Sequence, residues 1–190
     1  HSQEELDQLL AGKSAGCKFS VGNDCFTLRG STTPKDLDLQ LRLMAAYLTD
    51  PGYREDVLPQ IRVQYKKQYD ANQRNPLGVM RDQVSLFLAS GDERFGSPTP
   101  AQFDAVGMED VKNWLAKPLK HRFMSVAVVG DVDVDACVKL VARTFGTLPT
   151  RAAKPDMFEK RRIVHFPKGV KEKTFTFDSV IPKGIVSAYW

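Results

Sequence analysis

Histidine suits both transition-metal binding and proton transfer, and the chain holds three: His1, His121 and His165. No two of them stand three or four residues apart, so no helix presents a histidine pair to a metal. His121 lies in the basic run Lys120-His121-Arg122 and reads as an exposed residue. Cys17, Cys25 and Cys137 form no Cys-x-x-Cys pair and leave one thiol over if two should bridge. Cys17 and Cys25 could face each other across a hairpin, which makes a disulfide one reading; lone buried cysteines are the commoner arrangement. No Gly-x-Ser-x-Gly elbow marks a serine nucleophile. Gly130-Asp131 joins an apolar run to a helix-like one, the outline of a phosphate-binding turn. It offers one glycine, however, and neither of the glycine-rich spacings that cradle phosphate. Asp131 and Asp133 are better read as acids at a helix N-terminus, satisfying backbone donors. No residue therefore takes a catalytic, cofactor-binding or metal-ligating role, and no cofactor is expected in this chain.

The elements around these residues follow from periodicity and punctuation. Ser2 with Glu5 has the capping-box spacing and opens a short helix that stops near Gly12. CKFSV and DCFTLRG, separated by Gly22-Asn23, alternate apolar and polar residues as a β-hairpin does. Thr33-Pro34 then starts a helix carrying Leu37, Leu41, Met44 and Leu48, ended by Asp50-Pro51-Gly52. A second long helix is predicted over 55–73, with Pro59 tolerated in its first turns, and a third from Pro76 with Met80, Val84, Phe87 and Leu88 inward. After the loop SGDERFGSPTP come two short helices, the first behind Thr99-Pro100 and the second bearing Val111, Trp114 and Leu115. The run from Phe123 to Val129 reads as a strand. A helix with Val134, Val138, Val141, Ala142 and Phe145 inward and Gly146 as its stop follows, and Val126, Val128, Val138, Val141 and Phe145 are expected to share one core. Further strands are predicted at 163–166, 174–177 and 185–190, the last an apolar strand suggesting that the chain is part of a larger protein.

Of the 190 residues, 42% are hydrophobic and 26% charged, which suits one domain with a proper core or a domain with part of a second. No apolar run approaches the roughly 20 residues a membrane-spanning helix needs. The opening HSQEELDQLLAG is polar and helix-like and leaves open whether the parent protein is exported. The net charge of +4 is uneven: residues 1–150 hold 18 basic and 19 acidic side chains, residues 151–190 hold 9 and 4. A basic end could mean a nucleic-acid-binding domain, a reading kept as an alternative. Lys160-Arg161-Arg162, Lys168, Lys171 and Lys173 are nonetheless interleaved with apolar residues and a turn, so a solvated face is favoured and no nucleic-acid partner is expected.

Three stretches, in order, resemble the pitrilysin/insulinase family of zinc metallopeptidases. They are FTLRGSTTPKDLDLQLRLMAAYLTDPGYR, RFGSPTPAQFDAVGMEDVKNWLAKPL and, most specifically, MSVAVVGDVDVDACVKLVARTFGTLPTR, with its apolar run, Gly-Asp-Val-Asp, amphipathic helix and Phe-Gly-x-Leu-Pro. The resemblance implies an α+β fold: a split ferredoxin-like mixed or antiparallel sheet with helices on one face, as in metallohydrolases of the mitochondrial-processing-peptidase type. It implies a single domain over 1–150, then a linker and the first strands of a following homologous domain over 151–190. Family members have two homologous halves closing on a peptide chamber, one with zinc on His-x-x-Glu-His and a downstream Glu, the other degenerate. This sequence has no His-x-x-Glu-His, and Lys66, Lys67 and Gln68 stand where the last ligand is expected, residue types that cannot supply an anionic zinc ligand.

The resemblance thus makes the chain a fragment of the non-catalytic, C-terminal half of a zinc endopeptidase, inactive by itself, with zinc held in the parent protein's catalytic half. The expected partners are that half and peptide substrates; the family also makes an exported, periplasmic bacterial location plausible. A scaffold subunit of a non-peptidase assembly with the same fold is the alternative.

Overall fold

The computed structural model describes residues 3–22, 24–154, 159–179 and 181–190; Ser2 of the expected capping box, His1 and Asn23 of the hairpin turn lie outside them. The chain forms two compact units, His1–Tyr53 with Lys112–Pro155 and Arg54–Val111 with Asp156–Trp190.

In the first unit, helix α1 (Gln3–Leu9) gives way to a turn in which Lys13 N–H donates to the Leu10 carbonyl at 2.9 Å, with Gly12 at φ +73°. Strands β1 (Lys18–Val21) and β2 (Phe26–Arg29) pair antiparallel, Lys18 opposite Arg29 and Val21 opposite Phe26. That register places Cys25 beside Gly22, whose N–H donates to the Cys25 carbonyl at 2.8 Å, and leaves Cys17 at the far end of the ladder. Five residues of strand span about 16 Å, well beyond the reach of a disulfide. The two thiols therefore cannot bridge across the hairpin, and all three cysteines are free.

Thr33 is extended and Pro34 opens a 3-10 turn, Pro34–Asp36, that leads into α2 (Leu37–Thr49); the Thr33 hydroxyl makes no capping bond, so the fixed φ of proline starts this helix. Leu37, Leu41 and Leu48 are buried, with Met44 half-buried. Gln40 is buried too, and its amide acts as a piece of backbone. It accepts from Gly16 N–H at 2.9 Å and donates to the Gly16 carbonyl at 2.7 Å, satisfying the backbone just ahead of β1. Helix α7 (Met108–His121) buries Leu115 and Leu119 and sets Trp114 edge-on to Phe26, ring centroids 5.1 Å apart. Its last carbonyls are closed by Arg151, which donates to Leu119 at 2.7 Å and to Arg122 at 3.2 Å.

Helix α8 (Val134–Thr144) begins as the sequence predicts, Asp133 accepting from Ala136 N–H at 2.7 Å. Its inward face differs from the expected one. Cys137, Thr144 and Phe145 are buried and Leu140 and Val141 half-buried, whereas Val134 and Val138 are 69% and 61% exposed. The helix packs on α2, and Arg143 reaches Asp38 at 2.7 Å while Arg42 holds the same carboxylate at 3.0 Å. The Arg143 hydrogen bond, foremost, lowers the Asp38 pKa from its ordinary value. Gly146 does not stop α8 with a left-handed turn; a 3-10 turn, Phe145–Thr147, does.

The second unit is helical. A 3-10 turn (Glu55–Val57) feeds α3 (Leu58–Gln73), with Pro59 in its first turn as expected. Tyr65 of α3 stacks on Phe103 of α6 (Pro100–Asp104) at 4.1 Å and 10°, and its hydroxyl donates to the Pro98 carbonyl at 2.7 Å. Helix α6 carries a full capping box between Thr99 and Gln102. The helix expected from Pro76 is three pieces: α4 (Pro76–Val79), a π turn (Met80–Val84) and α5 (Ser85–Leu88), with Met80, Val84, Phe87 and Leu88 half-buried. A short α9 (Glu159–Arg162) completes the helices.

Helix α5 ends in a Schellman arrangement, Gly91 N–H donating to the Leu86 carbonyl at 2.8 Å and Ser90 N–H to Phe87 at 3.0 Å. Ser90 occupies the left-handed position, at φ 55°. A side chain there costs about 1–2 kcal/mol relative to glycine, offset in part by the greater unfolded-state freedom of glycine. Ser90→Gly is therefore expected to stabilise the chain by about 0.5–1 kcal/mol, read as a higher urea midpoint with unchanged slope.

The fold is thus α+β, mostly helical with one two-stranded antiparallel sheet among the described residues. The strands expected at 123–129, 163–166, 174–177 and 185–190 have no ladder partner there. Their sequences have strand character, but a strand is completed by its neighbour. Val126 is exposed and Val129 is 97% exposed, so the expected core of Val126, Val128, Val138, Val141 and Phe145 does not form as one cluster. Among the described residues no helix is long and apolar enough to cross a membrane.

Candidate functional site

The residues at the expected ligand position lie on α3 and face solvent. Lys66, Lys67 and Gln68 are exposed, and the Gln68 amide donates to the Asn72 side chain at 2.9 Å, four residues along the helix. Each of Lys66→Ala, Lys67→Ala and Gln68→Ala is expected to change stability by less than about 0.5 kcal/mol, as urea unfolding checks. His121 and His165 are exposed and lie in different units. Asp133 is engaged as a helix cap and Asp131 is exposed. Burial raises the Cys17 thiol above its ordinary pKa, which disfavours the thiolate a nucleophile needs. Among the described residues, no three His, Cys, Asp or Glu side chains come together in a way that could hold a metal ion. The side chains of the described residues do not assemble a zinc site.

Two features of the second unit were not legible in the sequence. The π turn brings Asp82 into the interior, its side chain 4% exposed. One carboxylate oxygen accepts from Ser97 Oγ at 2.9 Å and lies 3.3 Å from Arg81 Nε; the other has no hydrogen-bond partner among the described residues. Asp82 thereby ties the 90–100 loop to the helix, a structural role. Burial first, and the Asp82 charge second, raise the Tyr65 phenol above its ordinary pKa. The second feature is a cavity of about 510 Å³ between the end of α5 and the stretch 167–175, with Leu86, Phe87, Pro167 and Phe175 as its apolar lining and Lys171 and Lys173 beside them. Phe87 and Phe175 meet edge-on there at 6.4 Å.

The chain is α+β, with no metal-holding cluster among its described residues and with lysines on the helix where the last ligand was expected. Residues 105–187 match the family model of the peptidase M16 inactive domain. The chain is similar to the chloroplastic stromal processing peptidase of Arabidopsis thaliana, 21% identical over 158 residues, which cover 81% of this chain and 12% of that protein. It is similar also to the chloroplastic stromal processing peptidase of Pisum sativum, 20% identical over 142 residues, 72% of this chain and 11% of that one. The chain thus spans about an eighth of the length of these curated relatives.

Proposed function

We propose that this chain is a non-catalytic segment of a zinc-dependent endopeptidase, forming part of the wall of a chamber that encloses peptide substrates. The observation that carries the reading is the match of residues 105–187 to an inactive peptidase domain together with lysines on α3 where a zinc ligand would be needed. In the longer protein the catalytic half would hold the zinc, whose chemistry would be activation of water for peptide hydrolysis; this segment would supply surface and no proton transfer. Residues 1–150 are then one pitrilysin/insulinase-like domain, with 151–190 leading into a following homologous one. The apolar runs at 123–129 and 185–190, unpaired among the described residues, have the composition to complete a split ferredoxin-like sheet. By the same reading the parent enzyme works in an exported, periplasmic compartment.

Two measurements test this. The coding sequence flanking the chain is expected to contain His-x-x-Glu-His upstream; its absence favours a scaffold subunit with the same fold. The purified 190-residue chain, dialysed against a weak chelator, is expected to retain no stoichiometric zinc and to cleave no unstructured peptide. One tightly held zinc per chain would show that a ligand set has been overlooked.

A further inference from the structure

We propose that the cavity beside α5 binds the C-terminal residue of a peptide, taking a large apolar side chain against its floor and the free carboxylate at Lys171 and Lys173. All the residues lining it belong to one compact unit, and its volume of about 510 Å³ falls in the range of ligand sites. Lys171, Lys173 and Phe175, two residues apart in turn, all line the cavity. Opposite them Leu86 and Phe87 of α5 contribute apolar surface, and Pro167 adds to it.

The lysines could have a plainer role, closing the negative end of α5. That role is already filled. The Ser85, Leu86 and Phe87 carbonyls accept from Ala89, Gly91 and Ser90 N–H at 2.8–3.1 Å, so the helix end is closed by backbone. Neither lysine has an ion-pair partner among the described residues, and both are exposed. Two unengaged ammonium groups beside an apolar floor complement an apolar group bearing one negative charge. An extended peptide ending in Phe or Leu has that form. The choice of a peptide over another apolar acid rests on the reading of the chain as a segment of a peptide-processing enzyme; the chemistry of the cavity does not.

The test uses the 190-residue chain and a fluorescent heptapeptide ending in free Phe, measured by anisotropy at low salt, with three comparisons. The same peptide as its C-terminal amide, and one ending in Ala, are each expected to bind about tenfold more weakly, the equivalent of 1.4 kcal/mol. The double variant Lys171→Ala/Lys173→Ala is expected to lose the preference for acid over amide while keeping the parent's thermal midpoint. Raising the salt should shrink that preference, because these charges are exposed. Equal binding of acid and amide, or no binding of the Phe-terminated acid, overturns the proposal. So does binding of decanoate without the peptide, which would assign the cavity to free fatty acids. These results are independent of the flanking-sequence test: a missing zinc motif removes the chamber reading and leaves measured peptide binding in place.

Discussion

Phe145→Ala is expected to lower the unfolding free energy by about 3–5 kcal/mol, the range for truncating a buried aromatic side chain. Phe145 is 8% exposed and follows directly on α8, which packs against α2 and its buried Leu37, Leu41 and Leu48. Removing the ring takes away its transfer free energy and leaves a void among side chains fixed by two helices. The decisive comparison lies on the same helix. Val138 was expected to be a core residue by its place in the apolar series, yet it is 61% exposed. Val138→Ala should therefore cost less than about 0.5 kcal/mol, as should Lys139→Ala. Urea unfolding of the three variants, with the slope checked for two-state behaviour, measures this. A loss at Val138→Ala as large as that at Phe145→Ala would mean that α8 presents its other face to α2.

That misreading of α8 shows where sequence patterns stop being informative. Counting branched aliphatic residues selects Val134 and Val138, because valine is apolar and Cys137 and Thr144 are easily passed over. Burial selects Cys137 and Thr144, and the latter can go inside because its hydroxyl donates to the Leu140 carbonyl at 2.8 Å. A polar group whose hydrogen bond is made within its own helix is inexpensive to bury. Elements bounded by local chemistry were legible instead. The Thr99-Pro100 start of α6, Pro76 at α4, Asp133 before α8 and the alternation of the hairpin act within a few residues, and each is found where it was expected. The π turn left no such trace, since a single widened turn is not encoded by any one residue type. Nor could four apolar runs declare their partners, because strand pairing depends on residues far away in the chain.

The candidate sites divide in the same way. That α3 carries lysines at the ligand position is a statement about residue types, and it could be read directly. The cavity beside α5 could not, because Leu86 and Phe87 are distant in sequence from Lys171, Lys173 and Phe175. Lys171 and Lys173 read as a solvated face until the helix opposite is known. Likewise no pattern in the sequence singles out Asp82, and only the π turn and Ser97 place it inside.

Gly78→Ala is expected to destabilise the chain by about 2 kcal/mol or more, the effect of forcing atoms into a closely packed site. Gly78 is buried in α4, where a Cβ would lie 2.4 Å from the carbonyl oxygen of Asn72 and 2.6 Å from its Cα. That carbonyl is held in place, since it accepts from Asn75 N–H at 3.1 Å and from the backbone N–H of Arg74 at the end of α3. It cannot withdraw without opening the turn between the two helices. Against this stand the better helix propensity of alanine, worth up to about 1 kcal/mol, and its smaller unfolded-state entropy, worth about 0.4–1 kcal/mol. Neither matches a clash with fixed backbone, so the net sign is destabilising. Gly96→Ala in the same unit separates the two contributions. Gly96 has an extended φ of −99°, and a Cβ there would meet the Leu86 side chain at 3.5 Å and the Glu93 carbonyl oxygen at 3.8 Å, both ordinary contacts. It should gain the entropic benefit without the clash and raise stability by about 0.4–1 kcal/mol. Urea midpoints of the two variants should thus move in opposite directions. A Gly78→Ala protein as stable as its parent would mean that α3 and α4 approach less closely at this turn than the 2.4 Å separation requires.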